Sequence, residues 1–192
     1  MWIHESFTAY SESLFLDYYY GKQAASEYVI GTRRSIQNDR PLIGHYNVNN
    51  EGSGDMYYKG ANMLHTLRTM VNNDEKWRQI LKTVNKKFYH QTVTTQQIEN
   101  CLAEETGLDL TGFFNQYLRT TKIPVFEYKV ENKTLKFRFS NTVDNFKMPL
   151  LINIVEKEHW INPTNEWKTI KIPSSNSSIS VKKDFYLNVE KI

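Results

Sequence analysis

Residues 122–130, with the sequence KIPVFEYKV, mark the point at which the spacing of the apolar residues changes. Before this stretch, apolar side chains recur every three or four residues, as they do along one face of a helix. Within it, Phe126, Tyr128 and Val130 alternate with polar neighbours, which is the pattern of a strand with one buried face. The change predicts that a helical region gives way here to a strand-rich region.

Downstream of this stretch, the alternation repeats in several short runs. A turn at residues 131–133 separates the first run from Leu135, Phe137 and Phe139, so the two together predict a β-hairpin. Further β-rich runs, broken by Pro, Asn and Ser clusters, lie at residues 148–155, 167–172, 179–181 and 185–189. Several short strands with such breaks predict an antiparallel β-sandwich.

Upstream, apolar periodicity and capping residues predict a series of helices. The first helix ends at Gly21, and a weaker one follows at residues 23–37. Further helices are predicted over residues 60–71, over residues 74–88 after the cap-like pair Asn73 and Asp74, and from a cap at Thr94 or Thr95 through residue 103 to a stop at Gly107. The last is predicted over residues 111–118, with Asp109 or Thr111 as its cap. Turn-forming residues at 38–41 and 47–54 predict a long surface loop. The expected fold class is α+β, with a helical domain over residues 1–121 and an antiparallel β-sandwich domain over residues 122–192.

Composition limits the possible classes of function. The chain has 192 residues, and its net charge of +3 comes from basic and acidic residues that are interleaved, which gives little support to nucleic-acid binding. The single cysteine, Cys101, excludes an intramolecular disulfide. The sequence has no apolar run of the roughly twenty residues that a transmembrane helix needs. These data leave the localisation open, and the full-length protein could be exported or membrane-associated. They also leave the oligomeric state open.

The segment WIHESFTAY at residues 2–10 contains the pair His4 and Glu5. A zinc-peptidase helix of the form His-Glu-x-x-His places two imidazoles on one helical face, and the glutamate between them activates water. Thr8 occupies the position that the second histidine would need, and each of the other histidines also lacks a partner three or four residues away. The chain therefore contains no zinc-binding histidine pair.

The same segment resembles a different landmark, that of the aminopeptidase N family. In that family the motif reads Trp-Leu-Asn-Glu-Gly-Phe-Ala-x-Tyr and follows the His-Glu-x-x-His helix by about twenty residues. The resemblance implies that Glu5 is the third zinc ligand, and it places His4 and Ser6 where the family has Asn and Gly. Without the resemblance, the ordinary interpretation of a glutamate near the start of a helix is that its negative charge interacts favourably with the helix dipole.

A second landmark lies at residues 55–68, DMYYKGANMLHTLR, which resembles the Tyr-x-Lys-Gly-Ala helix of the family. The resemblance implies that Tyr57 donates a hydrogen bond to the oxyanion that forms when water attacks the scissile carbonyl. Taken alone, a tyrosine before a helix is more often a packing or capping residue. Gly60 is expected to allow close helix packing, and Lys59 and Arg68 are expected to be surface charges.

The resemblance continues through residues 113–119, FFNQYLR, which are similar to a Phe-Phe-x-Gln-Trp-Leu stretch of the family. It implies the carboxy-terminal piece of a zinc aminopeptidase, a gluzincin: the helical half of a thermolysin-like catalytic domain followed by a β-sandwich domain. Zinc would be the cofactor and peptides the substrate of the full-length enzyme. The chain lacks the general-base glutamate of the histidine motif and the Gly-x-Met-x-Asn strand that binds the free amine. We therefore expect the isolated chain to be inactive and metal-free.

Two other interpretations remain open at this stage. The chain could be a non-catalytic module for protein interaction, built of a helical bundle and a β-sandwich. The motif matches could also be accidents of an aromatic-rich helical protein. The peptidase hypothesis requires that Glu5 and Tyr57 lie together in the folded protein.

Overall fold

The computed structural model describes residues 1–45 and 50–192, in which helices precede strands along the chain. The α-helices of these residues are α1 (Trp2–Tyr20), α2 (Lys22–Gly31), α3 (Tyr58–Val71), α4 (Asp74–Lys87), α5 (Thr95–Thr106) and α6 (Thr111–Arg119). Two 3-10 turns, Thr32–Ser35 and Gly54–Met56, lie between α2 and α3. Part of the loop predicted at residues 47–54, namely 47–49, falls outside the described residues.

The helix ends are largely set by the residues that the sequence pattern singled out. Gly21 has a φ of 88° and ends α1, and Gly107 ends α5 in the left-handed conformation. The side chain of Asn73 caps α4, and Thr94 forms a capping box with Gln97 at the start of α5. These four predicted boundaries are confirmed.

Two helices differ from the prediction. The second helix ends at Gly31 and continues as the 3-10 turn Thr32–Ser35, so it is shorter than the predicted span of residues 23–37. At α6 the N-cap residue is Leu110, which is neither of the two residues predicted as the cap. The Asp109 carboxylate nevertheless accepts a hydrogen bond of 3.4 Å from the N–H group of Thr111, the first residue of the helix.

The strands of the described residues form two sheets. They are β1 (Val125–Glu131), β2 (Thr134–Ser140), β3 (Leu150–Ile154), β4 (Lys157–Ile161), β5 (Lys168–Lys171), β6 (Ile179–Val181) and β7 (Asn188–Lys191). One sheet has the order β5-β2-β1-β7 and the other β4-β3-β6. All pairs are antiparallel except β1 and β7, which run parallel. The predicted α+β fold class is confirmed.

Two strands depart from the predicted positions. Strand β4 was not predicted, because only Ile161 among its residues is buried. Strand β7 begins at Asn188, three residues later than the run that starts at Phe185. Phe185 and Tyr186 are instead buried in the core as part of the segment that leads to β7.

Helix α3 lies at the centre of the helical region and contacts α1, α2, α4 and α6. Its buried side chains belong to the same hydrophobic cluster as those of both sheets. Because this core is continuous, the division into domains at residue 121 stays a prediction. No helix among the described residues combines the length and apolar character that crossing a membrane requires.

Candidate active site

Glu5 and Tyr57, the two predicted site residues, lie side by side in the structure. Glu5 is in the first turn of α1 and is partly buried. Tyr57 lies between the turn Gly54–Met56 and α3, and its side chain is 42% exposed. The Glu5 carboxylate raises the pKa of the Tyr57 phenol above its ordinary value, since a nearby negative charge disfavours the phenolate. The structure thus brings together an acid from α1 and a phenol from the residue that precedes α3, and their roles remain predictions.

A glycine and a serine allow this close approach. A Cβ atom added at Gly60 would lie 1.8 Å from Oγ and 2.5 Å from Cβ of Ser6, so only glycine fits between α3 and α1. Ser6 is fully buried, and its hydroxyl donates a hydrogen bond of 2.7 Å to the carbonyl oxygen of Met56. Helix α1 is therefore joined to the residue before Tyr57. The predicted close packing at Gly60 is confirmed.

The turn before Tyr57 is held by Asp55, a buried residue that sequence analysis did not single out. Its carboxylate accepts hydrogen bonds from the backbone N–H groups of Gln37 (2.9 Å) and Asn38 (2.6 Å). The hydroxyl of Ser53 accepts a bond from the Asp55 N–H and donates to the Asp39 carboxylate at 2.6 Å. These bonds tie the segment before Tyr57 to the segment that follows α2.

Lys59 and Arg68 are not surface charges, so that prediction is wrong. Lys59 is fully buried, and its Nζ donates to the carbonyl oxygen of Thr120 at 2.9 Å. Burial lowers the pKa of this ammonium to about 8. The guanidinium of Arg68 contacts the carboxylates of Asp17 (2.5 Å) and Asp74 (2.9 Å). Each cation is buried with a partner that a sequence pattern does not identify.

The fully buried amide of Asn62 is a further polar centre that sequence reasoning missed. Its nitrogen donates to the carbonyl oxygens of Val29 and Tyr58 and to the hydroxyl of Thr32, and its oxygen accepts from Nε of Arg33. One side chain in α3 therefore fixes the end of α2 against the first turn of α3. This bonding holds the helix that follows Tyr57 in one position.

A partly buried network around Asp184 links the helical region to the segment before β7. Oδ1 of Asp184 accepts hydrogen bonds from the hydroxyl of Ser26 (2.5 Å) and from Nε2 of His65 (2.7 Å). Burial alone would raise the pKa of Asp184, but the bonds from His65 and Ser26 outweigh it and hold the pKa well below the ordinary value. The second ring nitrogen of His65, Nδ1, is buried and has no hydrogen-bond partner among the described residues.

A groove of about 700 Å³ runs along α1, and Glu5 is not among the residues that line it. Its lining is mainly apolar and includes Phe7 and Leu14 of α1 and Phe88 after α4. His4, the residue that stands where the family has Asn, lines the same groove and is exposed. No part of this groove was identified from the sequence.

Within residues 1–45 and 50–192, no three His, Cys, Asp or Glu side chains are grouped so as to hold a metal ion. Glu5 is a donor of the type that zinc accepts, but a structural or catalytic zinc site needs three or four protein ligands. Among the described residues, Glu5 could therefore supply one ligand of such a site, and the other ligands would have to come from elsewhere.

Comparison with known proteins places this arrangement in a family. The peptidase family M1 domain matches residues 1–117. Aminopeptidase N of Lactococcus lactis subsp. lactis is 29% identical over 83 residues, which are 43% of this chain and 10% of that protein. The crystal structure of Legionella pneumophila aminopeptidase A in complex with aspartic acid has a TM-score of 0.73 and 14% sequence identity, and the match covers 97% of this chain and 23% of that one. The chain thus spans less than a quarter of the length of either relative.

Proposed function

This chain belongs to peptidase family M1, and from that membership we propose that it provides part of the active site of a zinc-dependent aminopeptidase. The resemblance to aminopeptidase N is confirmed by the family match and by the Lactococcus relative. In the proposal, Glu5 ligates the zinc ion and Tyr57 donates a hydrogen bond to the oxyanion. The observation that carries it is the position of the Glu5 carboxylate next to the Tyr57 phenol, whose pKa it raises.

The proposed zinc site needs ligands in addition to Glu5. Two neutral imidazoles and one carboxylate leave the ion one positive charge and an open position. We propose that both imidazoles come from polypeptide of the same protein outside residues 1–192, because this chain has no histidine pair with the required spacing. When bound, the ion would acidify a water molecule and polarise the scissile carbonyl. The isolated chain is accordingly proposed to be inactive.

Tyr57 has the properties that oxyanion stabilisation requires. Its phenol is partly exposed, so a substrate can reach it, while the adjoining Met56 is buried and bonded to α1. A tyrosine phenol with the ordinary pKa of about 10 is protonated at neutral pH and can therefore donate a hydrogen bond. A donor held in place before the reaction stabilises the charge that develops in the transition state, an effect worth about 100-fold or more in kcat.

The test uses the full-length protein encoded by the natural reading frame, with an aminoacyl p-nitroanilide as substrate and metal analysis as a second readout. We expect Tyr57→Phe to lower kcat by about 100-fold with zinc retained, because only the phenolic donor is lost. We expect Glu5→Gln to reduce zinc content together with activity.

Neighbouring residues provide matched controls. Tyr58 directly follows Tyr57 and has a similar exposure of 37%, so Tyr58→Phe should leave kcat within twofold of the wild type. Glu12 lies on the same helix as Glu5 and contacts Tyr28, so Glu12→Gln should retain zinc. Equal losses in the Tyr57 and Tyr58 variants would contradict the assigned roles. A full-length protein without zinc-dependent hydrolysis would contradict the function as a whole.

A further inference from the structure

One side-chain hydrogen bond joins the two halves of the proposed site. Ser6 directly follows Glu5 and is fully buried, and its hydroxyl donates to the carbonyl oxygen of Met56 at 2.7 Å. Met56 directly precedes Tyr57. The bond therefore runs from the residue after the acid to the residue before the phenol.

The geometry leaves this bond little room to change. The hydroxyl of Ser6 lies where a side chain on Gly60 would have to be, so α1 and α3 are in backbone contact at this level. On the other side, Asp55 holds the backbone of Gln37 and Asn38 through its carboxylate. The peptide between Met56 and Tyr57 is thus fixed between two elements.

The ring of Tyr57 itself is 42% exposed, so packing does little to direct it. The direction of an exposed side chain depends on the backbone that carries it, and an error of about 1 Å in the position of a catalytic group can cost 100-fold in rate. We infer that Ser6 is a positioning residue for Tyr57. The Ser6 hydroxyl, through its bond to the Met56 carbonyl, holds Tyr57 at the correct distance from Glu5. This inference rests on the proposed function.

The hydroxyl is a property of this chain, because the motif of the aminopeptidase N family has glycine at this position. A purely structural role is the alternative, and the same helix offers a control for it. Ser13 is also fully buried on α1, and its hydroxyl donates to the carbonyl oxygen of Ala25 in α2 at 3.2 Å. Ser13 makes the same kind of bond as Ser6 but is remote from Tyr57 in the fold.

The experiment measures kcat, KM, zinc content and the midpoint of thermal unfolding for Ser6→Ala and Ser13→Ala in the full-length protein. Each variant is also made in a Tyr57→Phe background. We expect Ser6→Ala to lower kcat about tenfold with KM and zinc content unchanged, because Tyr57 acts in the transition state. In the Tyr57→Phe background the same substitution should have no further effect on kcat. Ser13→Ala should lower the midpoint to a similar extent and leave kcat unchanged.

The outcomes separate the possible roles. The inference is overturned if Ser6→Ala still lowers kcat tenfold in the Tyr57→Phe background, or if Ser13→Ala lowers kcat equally. It is also overturned if Ser6→Ala loses zinc while kcat per bound zinc ion is unchanged. If Ser6→Ala does not fold, Ser6→Gly replaces it, since it removes the same hydroxyl and restores the residue of the family motif. If the wild-type protein has no activity, the proposed function and this inference both fail. If the wild type is active but the losses of kcat in Ser6→Ala and Tyr57→Phe are additive, only the inference fails.

Discussion

Glu5 lies in α1 and Asp184 lies in the segment before β7, and the two carboxylates have different surroundings. Asp184 accepts hydrogen bonds from Ser26 and His65, and its pKa is lowered. Glu5 is partly exposed and has no ion pair among the described residues, and its charge acts on the phenol of Tyr57. One acid is satisfied within the protein, while the other is left with its charge available to a ligand.

The difference indicates how to separate structural from functional acids in this family of folds. A buried carboxylate with two donors contributes to stability, and its removal leaves those donors unsatisfied. A surface carboxylate with no cationic partner contributes little to stability, so its position beside a second reactive group needs another explanation. Stability measurements on the two regions therefore test the comparison directly.

The largest effect is expected where α1 and α3 meet. Gly60→Ala places a Cβ atom 1.8 Å from Oγ of Ser6, so the helices must separate, and we expect a loss of about 3 kcal/mol in the free energy of unfolding. Gly31→Ala is the matched control, because no atom lies within 4 Å of its Cβ and it should change stability by less than about 1 kcal/mol.

Combining Gly60→Ala with Ser6→Gly sharpens this prediction. The double variant removes both Ser6 atoms that clash, which leaves only Cα of residue 6 at 3.3 Å, and we expect it to recover most of the lost stability. Urea unfolding followed by circular dichroism measures each value. A Gly60→Ala protein as stable as the wild type would show that the two helices do not meet as described.

A smaller effect is expected at Asp184. Asp184→Asn keeps the shape and an oxygen that can accept both bonds, but it removes the charge that strengthens the bonds from Ser26 and His65, so we expect a loss of about 2 kcal/mol at neutral pH. Glu75→Gln, at a carboxylate that is 77% exposed and pairs with Arg78, is the control and should change stability by less than about 0.5 kcal/mol.

This prediction also has a pH dependence. Because the pKa of Asp184 is lowered in the folded protein, its stabilisation is complete above the unfolded-state pKa of about 3.9 and is lost as the pH falls below that value. The difference between wild type and Asp184→Asn should therefore shrink as the pH falls below about 4. A difference that persists unchanged at lower pH would show that the carboxylate charge is not what the network uses.

The smallest effect is expected at Glu5. Glu5→Gln removes only a favourable interaction with the start of α1, so we expect a change of about 0.5 kcal/mol or less in the free energy of unfolding. The measurement uses the same urea titration as Asp184→Asn. A loss as large as that of the Asp184 variant would place Glu5 among the structural acids and would end the contrast between the two regions.

Much of the fold follows from local signals in the sequence. Gly21, Asn73, Thr94 and Gly107 set helix ends through their own backbone and side-chain chemistry. Strand β4 gave no such signal, since it buries only Ile161 and follows a turn whose central residues, Val155 and Glu156, have positive φ without being glycine or asparagine.

The candidate site was predicted by resemblance, and its supporting residues were not predicted. Glu5 and Tyr57 came from short motifs, whereas Lys59 was expected at the surface because a lysine is rarely buried. Its burial depends on the carbonyl of Thr120, at the end of a different helix. The contact of Ser6 with Met56 likewise joins two segments that are distant along the chain, and no local pattern encodes which distant group a buried polar side chain will meet.

The parallel pairing of β7 with β1 has a consequence for the order in which the protein is made. Val125–Glu131 leaves the ribosome directly after the helices, but its neighbour Asn188–Lys191 is synthesised last. Until then one edge of β1 has unpaired N–H and C=O groups, and such an edge can pair with another chain. Closing the sheet also requires a long loop to form first, which slows folding. Protection of the nascent chain is therefore needed most during synthesis of the segment between these two strands.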